Sequence, residues 1–196
     1  MQDFNAVPQE VSPVIVNSHD IPISRRSFTS MSGEQLLNDD IINWTLSWWL
    51  SQIGGGQNNN KTTTPQVHPS LPRCYYASTL WFTKLQEVGA TAGFLKWTRN
   101  TNFDKDYDLM LIPINIKNNH WYLAVIDFKH KRIATYDSHE PVTTRNTTTP
   151  VRPKTYSTLT TWLRQRHNAY HQSRFPSEEW QHVSSSASMG PTPRAV

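Results

Sequence analysis

The stretch 118-NNHWYLAVIDFKHKRIATYDS-138 reads as a β-hairpin, and the fold follows from it. Two apolar runs flank a charged turn around Lys129 and His130. His120 precedes the first run and Asp137 closes the second. Side chains alternate faces along a strand, and facing residues of an antiparallel pair have numbers of constant sum. A turn near Phe128 to His130 gives a sum of 257 or 259. Either sum puts His120 and Asp137 on one face, opposite each other or one diagonal step apart. A slip of one residue separates them. An acid beside a histidine fixes its tautomer and supports the imidazolium during proton transfer. The two residues are therefore candidates for a catalytic set. The pair by itself leaves open the plainer reading of a capped hairpin end with both groups solvated.

Outward from the hairpin, the segment DLMLIPINI (108–116) reads as a buried strand. Upstream, Asn38 followed by Asp39 and Asp40 makes a helix N-cap with acid in the first turn. Ile41, Ile42, Leu46, Trp49, Leu50 and Ile53 then keep helical spacing up to Gly54. CYYASTLWFTKLQEVGA (74–90) and GFLKWT (93–98) read as helical. YSTLTTWLRQRHNAY (156–170) is a last helix carrying Leu159, Trp162 and Leu163. Helices on either side of a clustered sheet give an α+β class. Residues 1–20 read as a flexible leader and 21–183 as one domain. Low-complexity insertions fall at 54–66 and 141–153, and 184–196 is an unpatterned tail.

Composition narrows the function. The 196 residues hold enough chain to bury a core, and eight Trp, seven Tyr and seven Phe concentrate apolar area in few side chains. One cysteine rules out an internal disulfide framework and favours an intracellular setting. No apolar run is long enough for a membrane span, so a soluble protein without a membrane partner, in nucleus or cytoplasm, is expected. A net charge of +4 is mild. Arg25–Arg26 and 129–132 are the nearest approach to a basic cluster, so a nucleic-acid-binding module ranks below other readings. His68, His139, His167, His171 and His182 lack ligand-like spacing, and neither a metal nor a cofactor is expected.

Five runs together carry a resemblance: GEQLLNDDIIN (33–43), WFTKL (81–85), FLKWTRN (94–100), 108–138, and the helix around LTTWLRQ. Over roughly residues 23–183 the chain resembles the SUMO-specific cysteine proteases, the Ulp and sentrin-specific type. The resemblance implies a papain-like fold, with a mixed sheet packed between helices. It also implies hydrolysis of the peptide or isopeptide bond after the diglycine of SUMO or another ubiquitin-like modifier. His120 becomes the general base that deprotonates a cysteine and later protonates the leaving amine. Asp137 orients His120, Trp121 lines the tunnel for the modifier's tail, and Asp39 belongs to the modifier-facing surface. Helix capping for Asp39 and core packing for Trp121 are the structural alternatives.

Two departures qualify this expectation. The family carries Trp where this chain has Leu36, which alters one wall of the tunnel. The family's nucleophile follows the last of these helices, in a Gln-rich stretch leading to Asn-Gly-x-Asp-Cys-Gly. Here EEWQHVSSSASMGPTPRAV (178–196) stands in that place and holds no cysteine. The reading is of a domain whose C-terminal part is missing, through an early end or frame change in the gene, or of a catalytically dead modifier-binding domain. Cys74 is the only thiol, and LPRCYYAS matches no nucleophile signature. The chain as written is therefore expected not to cleave.

Overall fold

The computed structural model describes residues 14–18, 21–31, 36–52, 71–98, 101–138, 152–171 and 173–184. Strands β1 (Val14–Ser18) and β2 (Ile21–Ser24) form a small antiparallel ribbon leading into the short helix α1 (Arg25–Thr29). Helix α2 (Asp39–Gln52) starts where the cap predicts, with the Ile41 amide donating to Asn38 Oδ1 at 3.0 Å. Strand β3 (Cys74–Tyr76), helix α3 (Thr79–Val88), α4 (Ala92–Leu95) with a 3₁₀ turn (Lys96–Thr98), and α5 (Phe103–Asp106) follow. The central run is β4 (Leu109–Ile116), β5 (His120–Asp127) and β6 (Arg132–Tyr136). Helix α6 (Pro153–Tyr170), a second 3₁₀ turn (Ser177–Glu179) and β7 (Gln181–Ser184) complete the described chain.

The five-stranded sheet has the order β3-β4-β5-β6-β7, with antiparallel pairs in the middle and parallel β3 and β7 outside. Pro113 sits within interior β4, where a missing amide ordinarily costs a ladder bond. The short β3 pairs only with Leu109 to Leu111, so on that flank Pro113 lies past the end of its neighbour. One face of the sheet presents Met110, Ile112, Ile114, Tyr122, Ala124, Ile126 and Ile133 to α3 and α6. Trp162 is fully buried there, its ring edge-on to Trp81 at 5.0 Å. The opposite face packs Leu111 and Val125 against Leu50 of α2 and the β3 residues Cys74 and Tyr76. The architecture is α+β, a mixed sheet between helices.

Four local expectations change. Residues 74–76, read as the start of a helix, form β3, because the β-rich Cys-Tyr-Tyr run finds a strand partner in β4 and the helix waits until Thr79. Residues 14–18, read as part of a leader, form β1 through pairing with β2. Ser184, counted with the tail, ends β7. Arg152 and Pro153, at the edge of the insertion read at 141–153, open α6, with Pro at its first position. The insertion at 54–66, the remainder of the second one and residues 185–196 lie outside the described residues.

Candidate active site

The β4–β5 hairpin turns at 117–119, where Lys117 (φ 52°) and Asn118 (φ 56°) are left-handed and Asn119 N–H bonds the Ile116 carbonyl at 2.9 Å. Asn takes this conformation readily, whereas Lys carries a cost of about 1 kcal/mol. The turn sets Ile116 opposite His120. At the other end, the Asp127 carboxylate accepts from the His130 amide (2.9 Å) and from Arg132 Nε (2.9 Å), closing the turn to β6. The β5–β6 register pairs Leu123 with Tyr136 and Asp127 with Arg132, the sum of 259. Asp137, one residue past β6, thus falls across from Tyr122 and one diagonal step from His120.

His120 Nε2 lies 2.6 Å from Asp137 Oδ1. The Asp137 side chain has no exposed surface, and that of His120 is 13% exposed. The second carboxylate oxygen, Oδ2, accepts from Arg152 Nε at 3.1 Å and from Arg152 Nη2. A carboxylate buried this far needs such partners, since an unpaired buried charge is strongly disfavoured. The Arg152 guanidinium also lies over the Tyr122 ring, 5.0 Å from its centroid. Tyr122 OH shares a 2.7 Å hydrogen bond with Thr155 Oγ1, and burial pushes this phenol above its ordinary value.

Trp121 points to the opposite sheet face from His120, as strand alternation requires. Its Nε1–H donates to the Leu37 carbonyl at 2.7 Å, which ties β5 to the entry of α2. Trp121 stands between two cavities. A groove of about 640 Å³ runs over Ile41, Leu46, Pro113, Leu123 and Tyr136 and reaches Asp137. A second cavity of about 450 Å³ lies toward Asp39, Leu80 and Asn115. Asp39 is exposed at the first position of α2, on the rim of that second cavity. The structure thus joins His120 and Asp137 directly, sets Trp121 beside them on the other face, and keeps Asp39 at the rim.

Cys74 belongs elsewhere. It aligns with Leu109 in β3–β4, while His120 aligns with Ile116, seven positions along the same strand. At about 3.3 Å per residue that is about 23 Å. The thiol is buried, and desolvation with the nearby Asp108 charge pushes it up to about 11. Sequence reasoning missed Arg152 and the Leu37 carbonyl. Arg152 reaches Asp137 from the far side of an insertion, and no local periodicity announces that. Among the described residues no group of three or more His, Cys, Asp and Glu could hold a metal ion, and no helix is long and apolar enough to cross a membrane.

A model of the Ulp1 protease family, C-terminal catalytic domain, matches residues 36–185. A sentrin-specific protease of Caenorhabditis elegans is 26% identical over 151 residues, 70% of this chain and 20% of that protein. Ubiquitin-like-specific protease 1 of Saccharomyces cerevisiae is 28% identical over 126 residues, 63% of this chain and 17% of that one. The chain therefore spans a fifth or less of the length of these curated relatives. Among solved structures, SUMO protease Ulp1 with its catalytic cysteine oxidised to a sulfenic acid superposes with a TM-score of 0.61 at 22% identity, over 87% of this chain and 65% of that one. The Chaetomium thermophilum Ulp1-like SUMO protease catalytic domain gives 0.60 at 22% identity, over 90% of this chain and 62% of that one. A third, the Ulp1 protease domain in complex with the yeast SUMO orthologue Smt3, gives 0.57 at 20% identity, over 88% and 66%. At these identities the superpositions establish the fold, and the family model covers most of the chain. The chain belongs to the Ulp1 protease family, in the part that forms its C-terminal catalytic domain.

Proposed function

We propose that this domain recognises the C-terminal tail of SUMO or a related ubiquitin-like modifier and carries the acid–base half of a thiol peptidase site. The observation that carries the reading is the 2.6 Å contact of His120 with a fully buried Asp137, at the end of an apolar groove. With Nε2 held by Asp137, the ring's Nδ1 is the nitrogen that exchanges protons with a reacting group. Where a cysteine thiol is brought to it, His120 takes the thiol proton as the sulfur attacks the carbonyl after the diglycine. The same proton then goes to the leaving amine. Asp137 supports the imidazolium between those steps. Trp121, between the two cavities, is the wall along which an extended tail threads, and Asp39 meets the modifier's body. The relatives named as sentrin- and ubiquitin-like-specific proteases support this substrate class. A nuclear or cytoplasmic setting fits such a substrate.

A second reading, modifier binding without cleavage, is favoured by one observation: the chain's single cysteine is buried two strands from His120 and about 23 Å from it along the strand direction. Loss of a triad nucleophile costs on the order of a millionfold in turnover. The test uses the 196-residue chain with SUMO and ubiquitin carrying a thiol-reactive C-terminal electrophile. No covalent adduct is expected. Reversible binding to SUMO should weaken at least tenfold in Trp121→Ala, the effect of losing an aromatic anchor. An adduct abolished by Cys74→Ser overturns the assignment of Cys74. Binding that ignores the modifier but collapses with salt returns the nucleic-acid reading.

A further inference from the structure

We propose that Arg152 is a positioning residue of this site, setting both the direction and the effective charge of Asp137 as His120 meets it. The inference rests on reading His120 and Asp137 as the acid–base pair. Three features of the geometry carry it. The two oxygens of Asp137 are divided, Oδ1 to His120 Nε2 at 2.6 Å and Oδ2 to Arg152 through both Nε and Nη2. With one oxygen held by the imidazole and the other by the guanidinium, the carboxylate is fixed in rotation as well as in location. The Asp137 side chain is fully buried and that of Arg152 is about one third exposed, so the counter-charge beside the buried carboxylate is partly solvated.

Arg152 is itself held. Its guanidinium stacks on Tyr122, which faces Asp137 across the hairpin, and Tyr122 OH bonds Thr155 in the first turn of α6. The start of α6 is thereby tied to the open end of the β5–β6 hairpin through the acid that serves His120. The consequence is electrostatic. A buried carboxylate beside an imidazole stabilises the imidazolium, and a proton acceptor locked in that form is a poor base. Arg152 offsets part of the Asp137 charge, which leaves the acid to orient His120 without binding its proton too tightly.

The experiment follows the ring resonances of His120 through a pH titration of the full 196-residue chain, assigned by comparison with His120→Gln. In Arg152→Met the midpoint should rise by about one pH unit, the scale of one nearby charge removed. Arg152→Lys, which restores the charge, should return it most of the way. A role in stability alone lowers the melting temperature of both variants and leaves the titration where it was. A folded Arg152→Met with the wild-type midpoint overturns the proposal. Should that variant not fold, Arg152→Gln decides on the same criterion, since its uncharged amide still offers a hydrogen-bond donor. Asp137→Asn separates the two levels of inference. If it leaves the His120 titration unmoved, the pair itself is uncoupled and the site reading fails. If it lowers the midpoint while Arg152→Met changes nothing, only the role of Arg152 falls.

Discussion

At the scale of single residues, Cys74 and Trp121 show how position in the sheet outweighs chemical type. A thiol near a histidine is a nucleophile, but Cys74 sits in β3 among Leu50, Tyr76, Leu111 and Val125, with its Sγ on the Pro72 carbonyl at 3.4 Å. Burial pushes the thiol from its ordinary 9.0 up to about 11. At pH 8 that cuts the thiolate share roughly a hundredfold. Alkylation by iodoacetamide at that pH should therefore run at least a hundredfold slower in the folded chain than in denaturant. Equal rates would show that the thiol is neither buried nor perturbed. Trp121 joins β5 to the entry of α2 through a 2.7 Å bond to the Leu37 carbonyl. Trp121→Phe keeps the ring's bulk and removes that donor, at a cost of about 1 kcal/mol. Amide exchange should speed up at residues 37–42, which hang from that bond. A variant with unchanged exchange and an unchanged denaturation midpoint would show that packing alone holds α2 there.

Among the elements, β7 is the one most exposed to acid. It lies in parallel register on β6, with His182 beside Ile133. The His182 ring stands edge-on to Tyr156 at 5.3 Å, and its Nε2 is buried with no hydrogen-bond partner among the described residues. Burial holds this histidine below its ordinary 6.5. The folded chain keeps His182 neutral where the unfolded chain takes up a proton. Its contribution to stability is thus complete above pH 6.5 and lost as pH falls toward the lower folded value. Asp108 is held below the carboxylate range by its hydrogen bonds with Arg73. Asp127 is pushed up by burial but brought below the range by His130 and Arg132. Both lose their stabilisation only as pH drops past the ordinary 3.8. Between about pH 6.5 and 5 the urea midpoint should fall more steeply in the wild type than in His182→Phe. Parallel slopes for the two chains would remove His182 from the account. Elements of this kind mark what the sequence reveals. The β4–β5–β6 meander and the cap of α2 were legible because alternation, turn residues and Asn38 act within a few positions. Strands β3 and β7 were not, because each exists only through a parallel partner distant in the chain. Arg152 escaped for the same reason: the contact that gives it meaning is tertiary.

For the molecule as a whole, the distribution of apolar surface is uneven in a way that bears on its behaviour in solution. α3 and α6 cover one face of the sheet with Trp81, Phe82, Leu85, Leu159 and Trp162, all buried. Among the described residues the opposite face packs against α2, and beside that contact runs the groove over Pro113, Leu123 and Tyr136. Around the groove and the neighbouring cavity, Leu36, Leu37 and Leu80 are exposed, Leu80 by 66%, and α2 adds exposed Trp48 and Trp49. Exposed apolar side chains gathered at the mouth of one cavity, as Leu36, Leu37 and Leu80 are, favour association on a small protein. The 196-residue chain should therefore sediment as a concentration-dependent mixture of monomer and larger species. Leu37→Glu combined with Leu80→Glu should shift it to monomer while leaving the circular dichroism of the α3–α6 core unchanged. A SUMO-type modifier that occupies the same surface should dissolve the larger species in the same way, with a complex of one modifier per chain replacing them. A chain that stays monomeric from micromolar to submillimolar concentration would show that this surface is too divided by polar groups to associate. Dissociation by the double substitution but not by the modifier would place the self-contact away from the groove proposed to take the modifier's tail.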